Sequence, residues 1–354
     1  MSETMTIQSH QGPYVVHFDE GALAKLDADV PEGAHFIIDA RVAELYRAEM
    51  PNVLAAPSVL LIEATEDAKS LDKFPAYVEH LVQRRARRGE VLVAIGGGIT
   101  QDITCFLAAT LLRGIDWRFY PTTLLAQADS CIGSKSSINS GAAKNILGTF
   151  TPPKEIHLAT AFLDTLPEAD VRSGVGEMLK VHALDGPKSF DAIAADYEAL
   201  LRDRATMIAY VRRSLEIKQP YIEKDEFDRG PRNVFNYGHS FGHAIEAATR
   251  FAIPHGIAVT IGMDMANWMS WRLGVGTEAN YRRMHGALAA NYKGFAETPV
   301  PVEPFMAAIS KDKKNVGSEL TLILLDKDGV AARGRHANDN GFRALSAEYL
   351  TEHR

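Results

Sequence analysis

Short apolar runs separated by amphipathic stretches dominate the first half of the chain. Ala34-His35-Phe36-Ile37-Ile38-Asp39, Ser58-Val59-Leu60-Leu61-Ile62 and Glu90-Val91-Leu92-Val93-Ala94-Ile95 read as buried strands, and the last runs straight into Gly96-Gly97-Gly98. Runs of roughly four to eight β-favouring residues alternating with helical periodicity predict βαβ units around a parallel sheet. The texture changes after Thr165. Pro167-Glu168-Ala169-Asp170 looks like a helix start, and the chain beyond it is mostly helical in period, including one helix predicted over Phe190 to Arg204 with Tyr197 inside it. Leu320 to Leu325 is strand-like again and is expected to form a small hairpin with Val330 and its neighbours. No internal repeat or low-complexity segment interrupts this order. The fold class expected is α/β, with a Rossmann-like domain over residues 1–162 and a mostly helical domain over residues 163–354.

Composition narrows the function classes. With 354 residues, 46% hydrophobic and 23% charged, the chain is long enough for two cores and ordinary for a globular protein. A formal net charge of −7 disfavours nucleic acid as a partner. The best candidate for a membrane span, Phe251 to Ser270, is broken by Pro254, His255 and Asp264, so no membrane partner is expected. The start, Met1-Ser2-Glu3-Thr4-Met5, lacks the basic and apolar regions of a signal peptide. Cys105 and Cys131 are the only cysteines, too few for a disulfide framework. The expected location is the cytoplasm.

Two places carry chemistry. The triple glycine follows a predicted strand and opens a helix over Thr100 to Leu112, where close backbone approach and a helix amino terminus favour a pyrophosphate. Asp39, at the end of an earlier strand, can accept hydrogen bonds from a ribose. The dinucleotide fingerprint asks for a third glycine at position 101, where this chain has Gln101, and a tight turn after a buried strand would also use glycine. Gly133-Ser134-Lys135-Ser136 lacks the glycines of a Walker A loop. The second place holds His239, His243 and His255. His239 and His243 share a helix face by their spacing, but Ser240 stands where a zinc protease has glutamate. With a carboxylate, such histidines suit Zn²⁺ with an open position; with Lys218, Arg232 and Asn236 they suit an anionic ligand.

From here the residues resemble a known family, the sugar phosphate cyclases, and within it the 3-dehydroquinate synthases. The resemblance runs from about Asp39 to Leu325 through Gly96-Gly97-Gly98-Ile99-Thr100-Gln101-Asp102, Arg113-Gly114, Pro121 to Ser130, Lys135, Asn139, Lys144-Asn145, Ser173 to Lys180, Asn236 to Glu246, His255-Gly256 and Asp312-Lys313-Lys314. It implies an NAD domain followed by a metal-binding domain, in a homodimer that binds a small sugar phosphate. It implies Glu177, His239 and His255 as ligands of Zn²⁺ or another divalent ion such as Co²⁺. His243, Lys135, Lys144, Asn145, Asn236 and Lys313 would surround the substrate phosphate, with Arg113 reaching in from the partner subunit. Asp129 and Lys180 would hold sugar hydroxyls, and Lys218 and Arg232 the substrate carboxylate. NAD would contact Asp39, Glu66, Lys69, Gly96, Gly97, Gly98, Asp102, Thr122, Thr123 and Lys144.

The implied reaction is cyclisation of 3-deoxy-arabino-heptulosonate 7-phosphate to 3-dehydroquinate. A C–H bond beside a secondary alcohol is not acidic, whereas one beside a ketone is. Transient oxidation by NAD, phosphate loss, re-reduction and an intramolecular aldol step obey that logic, with the metal as Lewis acid. The alternatives are a cyclase acting on another sugar phosphate, a metal-dependent polyol dehydrogenase, and a catalytically silent binding protein. Ser134, Gln101 and Ile257 depart from the synthase pattern, and the retained Lys218 and Arg232 favour a carboxylated substrate.

Overall fold

The computed structural model describes residues 3–141, 143–311, 315 and 319–354. The chain forms two compact units: one runs to Leu166 and includes Gln219–Phe227, the other holds Pro167–Lys218 and Asp228–Arg354.

The first unit is built on a seven-stranded sheet. Its strands are β1 (Glu3–Ile7), β2 (Tyr14–Phe18), β3 (Ala34–Asp39), β4 (Val59–Ile62), β5 (Val91–Gly96), β6 (Asp116–Pro121) and, after a separate hairpin of β7 (Ile138–Ser140) with β8 (Ala143–Leu147), β9 (Glu155–Leu158). The spatial order is β1-β2-β9-β6-β5-β3-β4, antiparallel only at β1-β2. The three strands expected from the apolar runs are β3, β4 and β5, within a residue at each end. Phe36, Ile37, Ile38, Val93, Ala94 and Ile95 are fully buried, as central parallel strands covered on both faces must be. Helices Ala22–Ala28 and Ala40–Leu45 contribute Leu23, Leu26, Val42 and Ala43 to the core that Phe36, Ile38, Val93 and Ile95 share.

The second unit is helical, with one small hairpin in which β10 (Glu319–Leu325) pairs antiparallel with β11 (Ala331–Ala337), as expected around Val330. Its centre is the helix His255–Arg272, buried on every side from Gly256 to Ser270. Burial explains why this segment is the most apolar window of the sequence: a helix enclosed by other helices is apolar all round. Among the described residues no helix is long and apolar enough to cross a membrane.

One element differs from expectation. Phe190 to Arg204 is not a single helix: Pro187–Ala195 ends at Asp196, Tyr197–Arg202 comes next, and a third helix starts at Arg204. The break turns Tyr197 inward, where its hydroxyl donates to Asn291 Oδ1 at 3.0 Å and accepts from Arg172 at 2.8 Å. Tertiary hydrogen bonding outweighs local helical period here.

Candidate active site

The sheet order places a switch point in the first unit. After β3 the chain moves to β4 on one side, then crosses to β5 on the other, so β3 and β5 are neighbours whose connections leave in opposite directions. Their carboxyl ends flank the crevice where open α/β sheets bind ligands. Asp39 closes β3 and Gly96 closes β5, with Gly97 and Gly98 leading into the helix Gly98–Thr110. The glycines have separate reasons. A Cβ on Gly96 would collide with Thr100, and one on Gly97 would lie 2.9 Å from Thr123 Cγ2, whereas Gly98 has open space in front of it. An uncovered backbone at a helix amino terminus is the cradle a dinucleotide pyrophosphate needs. Asp39 caps Ala40–Leu45 by accepting from Arg41 N at 2.9 Å, and burial raises its pKa against that hydrogen bond.

Four more residues expected at the cofactor or phosphate meet in one network. Lys69, 6% exposed, extends Nζ to Asp102 Oδ2 at 3.1 Å, to Asn145 Oδ1 at 2.9 Å and to Glu66 Oε1 at 3.4 Å. Asn139, which the sequence singles out only as part of a motif, donates to Glu66 Oε1 and accepts from Asn145 N. Burial pushes the Asp102 carboxyl up to about 6, with Lys69 and the Ser137 amide pulling the other way. Gln101 plays no part in this network. Its amide donates to Ser130 O and its Oε1 accepts from Ser130 Oγ, both at 2.7 Å, so it pins the Gly98–Thr110 helix to the Ala126–Ser130 turn. The fingerprint glycine is replaced by a structural clamp.

In the second unit, three glycines set the geometry. Gly176 precedes Glu177, Gly238 precedes His239 and Gly256 comes after His255. A Cβ on Gly176 would collide with Gly256 O, one on Gly256 with Ser173 O, and one on Gly238 would lie 2.8 Å from Val259 O. These small residues let the helices Glu168–Asp185, His239–Ala248 and His255–Arg272 approach closely, and the polar side chains beside them converge. Glu177 Oε1 lies 3.7 Å from His239 Nε2 and 3.6 Å from His255 Nε2. Glu177 is 2% exposed, and its other oxygen meets Lys180 Nζ at 2.5 Å.

His239 and His255 each have their second nitrogen occupied. His239 Nδ1 lies 3.2 Å from Tyr237 O, and His255 Nδ1 lies 3.2 Å from Glu246 Oε1. An imidazole whose Nδ1–H is held by an oxygen presents a lone pair at Nε2, which is how metal-binding histidines are oriented. One carboxylate and two such imidazoles fit a divalent ion with bonds of about 2.0–2.2 Å. Glu246 has no role from sequence, although it sits on the same helix face as His239 and His243, three residues beyond the latter. Burial opposes protonation of His255, but the Glu246 and Glu177 carboxylates outweigh it and raise its pKa. His243 is exposed and joins the same cluster: one ring nitrogen each of His239, His243 and His255 lie within 4.8 Å of one another.

The remaining expected residues are spread over both units. Lys218 is 6% and Arg232 7% exposed in the second unit, so neither is a solvated surface cation. Asn236 ends the turn Pro231–Asn236 and donates to Asn233 O. In the first unit Asp129 and Thr122 are buried, Thr123 is half-buried, and Lys135, Lys144 and Asn145 are exposed. Arg113 is exposed and, like Leu112, has a left-handed backbone, with φ of 65° and 53°. Lys313 lies outside the described residues.

Sequence comparison decides the family. The pattern described as 3-dehydroquinate synthase N-terminal matches residues 59–173, and that described as 3-dehydroquinate synthase C-terminal matches residues 174–315. The chain belongs to the 3-dehydroquinate synthase family. A 3-dehydroquinate synthase from Rhodospirillum rubrum is 33% identical over 355 aligned residues, covering 95% of this chain and 92% of the relative. Among solved structures, 2-epi-5-epi-valiolone synthase from Streptomyces hygroscopicus subsp. jinggangensis, with NAD⁺ and Zn²⁺ bound, superposes with a TM-score of 0.81 at 26% identity, covering 96% of both chains. A 2-deoxy-scyllo-inosose synthase, in complex with carbaglucose-6-phosphate, NAD⁺ and Co²⁺, has the same fold at a TM-score of 0.85 and 22% identity, over 99% of this chain and 100% of the other. The chain is thus an enzyme of the sugar phosphate cyclase kind.

Proposed function

We propose that this enzyme converts 3-deoxy-arabino-heptulosonate 7-phosphate to 3-dehydroquinate with release of phosphate, using NAD and one divalent metal ion, Zn²⁺ or Co²⁺. The observation that supports a carboxylated substrate is the burial of both Lys218 and Arg232 in the unit that holds the histidine cluster. Cations in a poorly solvated setting discriminate strongly for an anion, and a planar guanidinium suits a carboxylate.

In this reading, Glu177, His239 and His255 hold the metal, while Gly98 and its helix amino terminus receive the NAD pyrophosphate near Asp39. NAD supplies a reversible hydride acceptor, and the metal supplies Lewis acidity toward substrate oxygens. Lys180, fixed by Glu177, donates a hydrogen bond to a sugar hydroxyl, and Asp129 accepts one. Lys218 and Arg232 orient the substrate by its carboxylate. His243 and Asn236 take the phosphate, joined by Lys135, Lys144, Asn145 and Lys313. Arg113 of a second subunit completes the phosphate contacts, which requires a homodimer.

The test is selective loss. Arg232→Ala lowers kcat/KM for the carboxylated sugar phosphate by a factor corresponding to about 2–4 kcal/mol, because one partner of a desolvated charge pair is removed. The same change leaves the residual rate on a neutral sugar phosphate unaltered. Equal losses on both substrates would remove the carboxylate role.

A further inference from the structure

We infer that the sheet of the first unit carries a peripheral site for a borderline divalent transition ion, formed by His17, Glu155 and His157. Parallel pairing puts β2 beside β9, with His17 opposite His157 and Val15 opposite Glu155. Glu155 and His157 are two apart on one strand and so share a sheet face, and His17 joins them by register. One donor atom from each lies within 4.8 Å of the others, and all three residues are half-buried. For one ion to be held by all three, His17 swings out of its stack on His157 so that its lone pair converges with theirs.

The surroundings hold Glu155 and His157 in place. The His157 ring is sandwiched between His17, with ring centroids 4.8 Å apart, and Tyr120, at 4.5 Å. His157 Nε2 meets Glu155 Oε2 at 3.1 Å, and Arg118 Nε lies 3.4 Å from the same oxygen. Arg118 is the charge that opposes a cation here, yet it engages Oε2 and orients the carboxylate, as outer partners of metal-binding carboxylates do. Asp19, paired with Lys25, lies close enough for its carboxylate to interact with His157 and adds negative charge. Two imidazoles and a carboxylate select Zn²⁺, Co²⁺, Ni²⁺ or Cu²⁺ over Mg²⁺ or Ca²⁺.

An ion there bridges β2 and β9, the seam that joins the amino-terminal β1-β2 hairpin to the remaining strands. Binding only the folded form, it stabilises by mass action. The test is Zn²⁺ stoichiometry by equilibrium dialysis of chelator-stripped protein, with the thermal midpoint read with and without Zn²⁺. His17→Ala and Glu155→Gln should each bind one ion fewer per chain than the parent and lose the part of the Zn²⁺-dependent rise in midpoint that this site supplies, with turnover kept. His239→Ala should lose a different ion and keep this one. Glu155→Gln retains a hydrogen-bonding side chain at the strand, so it carries the test if His17→Ala misfolds. Unchanged stoichiometry in the folded variants, checked by circular dichroism, would overturn the site irrespective of how the Glu177 cluster behaves.

Discussion

His182 shows what burial does to one residue. It is 2% exposed, its Nδ1 lies 2.9 Å from Ser189 Oγ, and its Nε2 has no hydrogen-bond partner among the described residues. Burial pushes its pKa down to about 4, against the pull of Asp185. In the unfolded chain the same imidazole titrates near 6.5, so between about pH 6.5 and 4 the unfolded state binds more protons and stability falls as pH falls. At pH 5 the loss from this residue alone is about 2 kcal/mol. Urea unfolding at pH 7.5 and at pH 5 should therefore show a smaller acid penalty in His182→Phe than in the parent. An equal penalty would mean that His182 titrates in the fold as it does in the unfolded chain.

Among the elements, the helix crossings at Gly176, Gly238 and Gly256 position the cluster. Gly256→Ala forces the His255–Arg272 helix away from Ser173, whose hydroxyl also accepts from Gly256 N at 2.9 Å. Overpacking of this kind costs about 1–3 kcal/mol, and the variant should also bind less metal per chain, measured by atomic absorption. A variant that is destabilised yet binds its full complement would separate the crossing from the site. The same elements explain which features are legible in the sequence. The strands β3 to β5 are legible because central parallel strands are continuous apolar runs. The break at Asp196 is not, because it depends on Asn291 and Arg172, remote in sequence. His239 and His243 announce themselves by spacing and His255 by its place in the same histidine-rich window, but Glu177 comes as a ligand only through family resemblance, since its approach depends on glycines that a periodicity reading treats as neutral. Gln101 reads as a defective cofactor loop, and only its reciprocal bonds to Ser130 show it as a clamp.

For the molecule as a whole, the proposed sharing of sites between subunits makes a distinct prediction. Arg113 stands exposed at a left-handed backbone position, in a conformation that costs energy and persists only where surrounding structure enforces it. Arg113→Ala and Lys135→Ala, each inactive alone, should regain partial activity after subunit exchange, because a mixed dimer has one site free of both changes. No recovery in verified mixed dimers would place Arg113 outside a shared site. The choice of substrate is tested most directly by phosphate release. With NAD and Zn²⁺ present, the enzyme should release phosphate from 3-deoxy-arabino-heptulosonate 7-phosphate and form 3-dehydroquinate, with little release from sedoheptulose 7-phosphate or glucose 6-phosphate. Rapid turnover of either neutral sugar phosphate, with none of the carboxylated one, would contradict it.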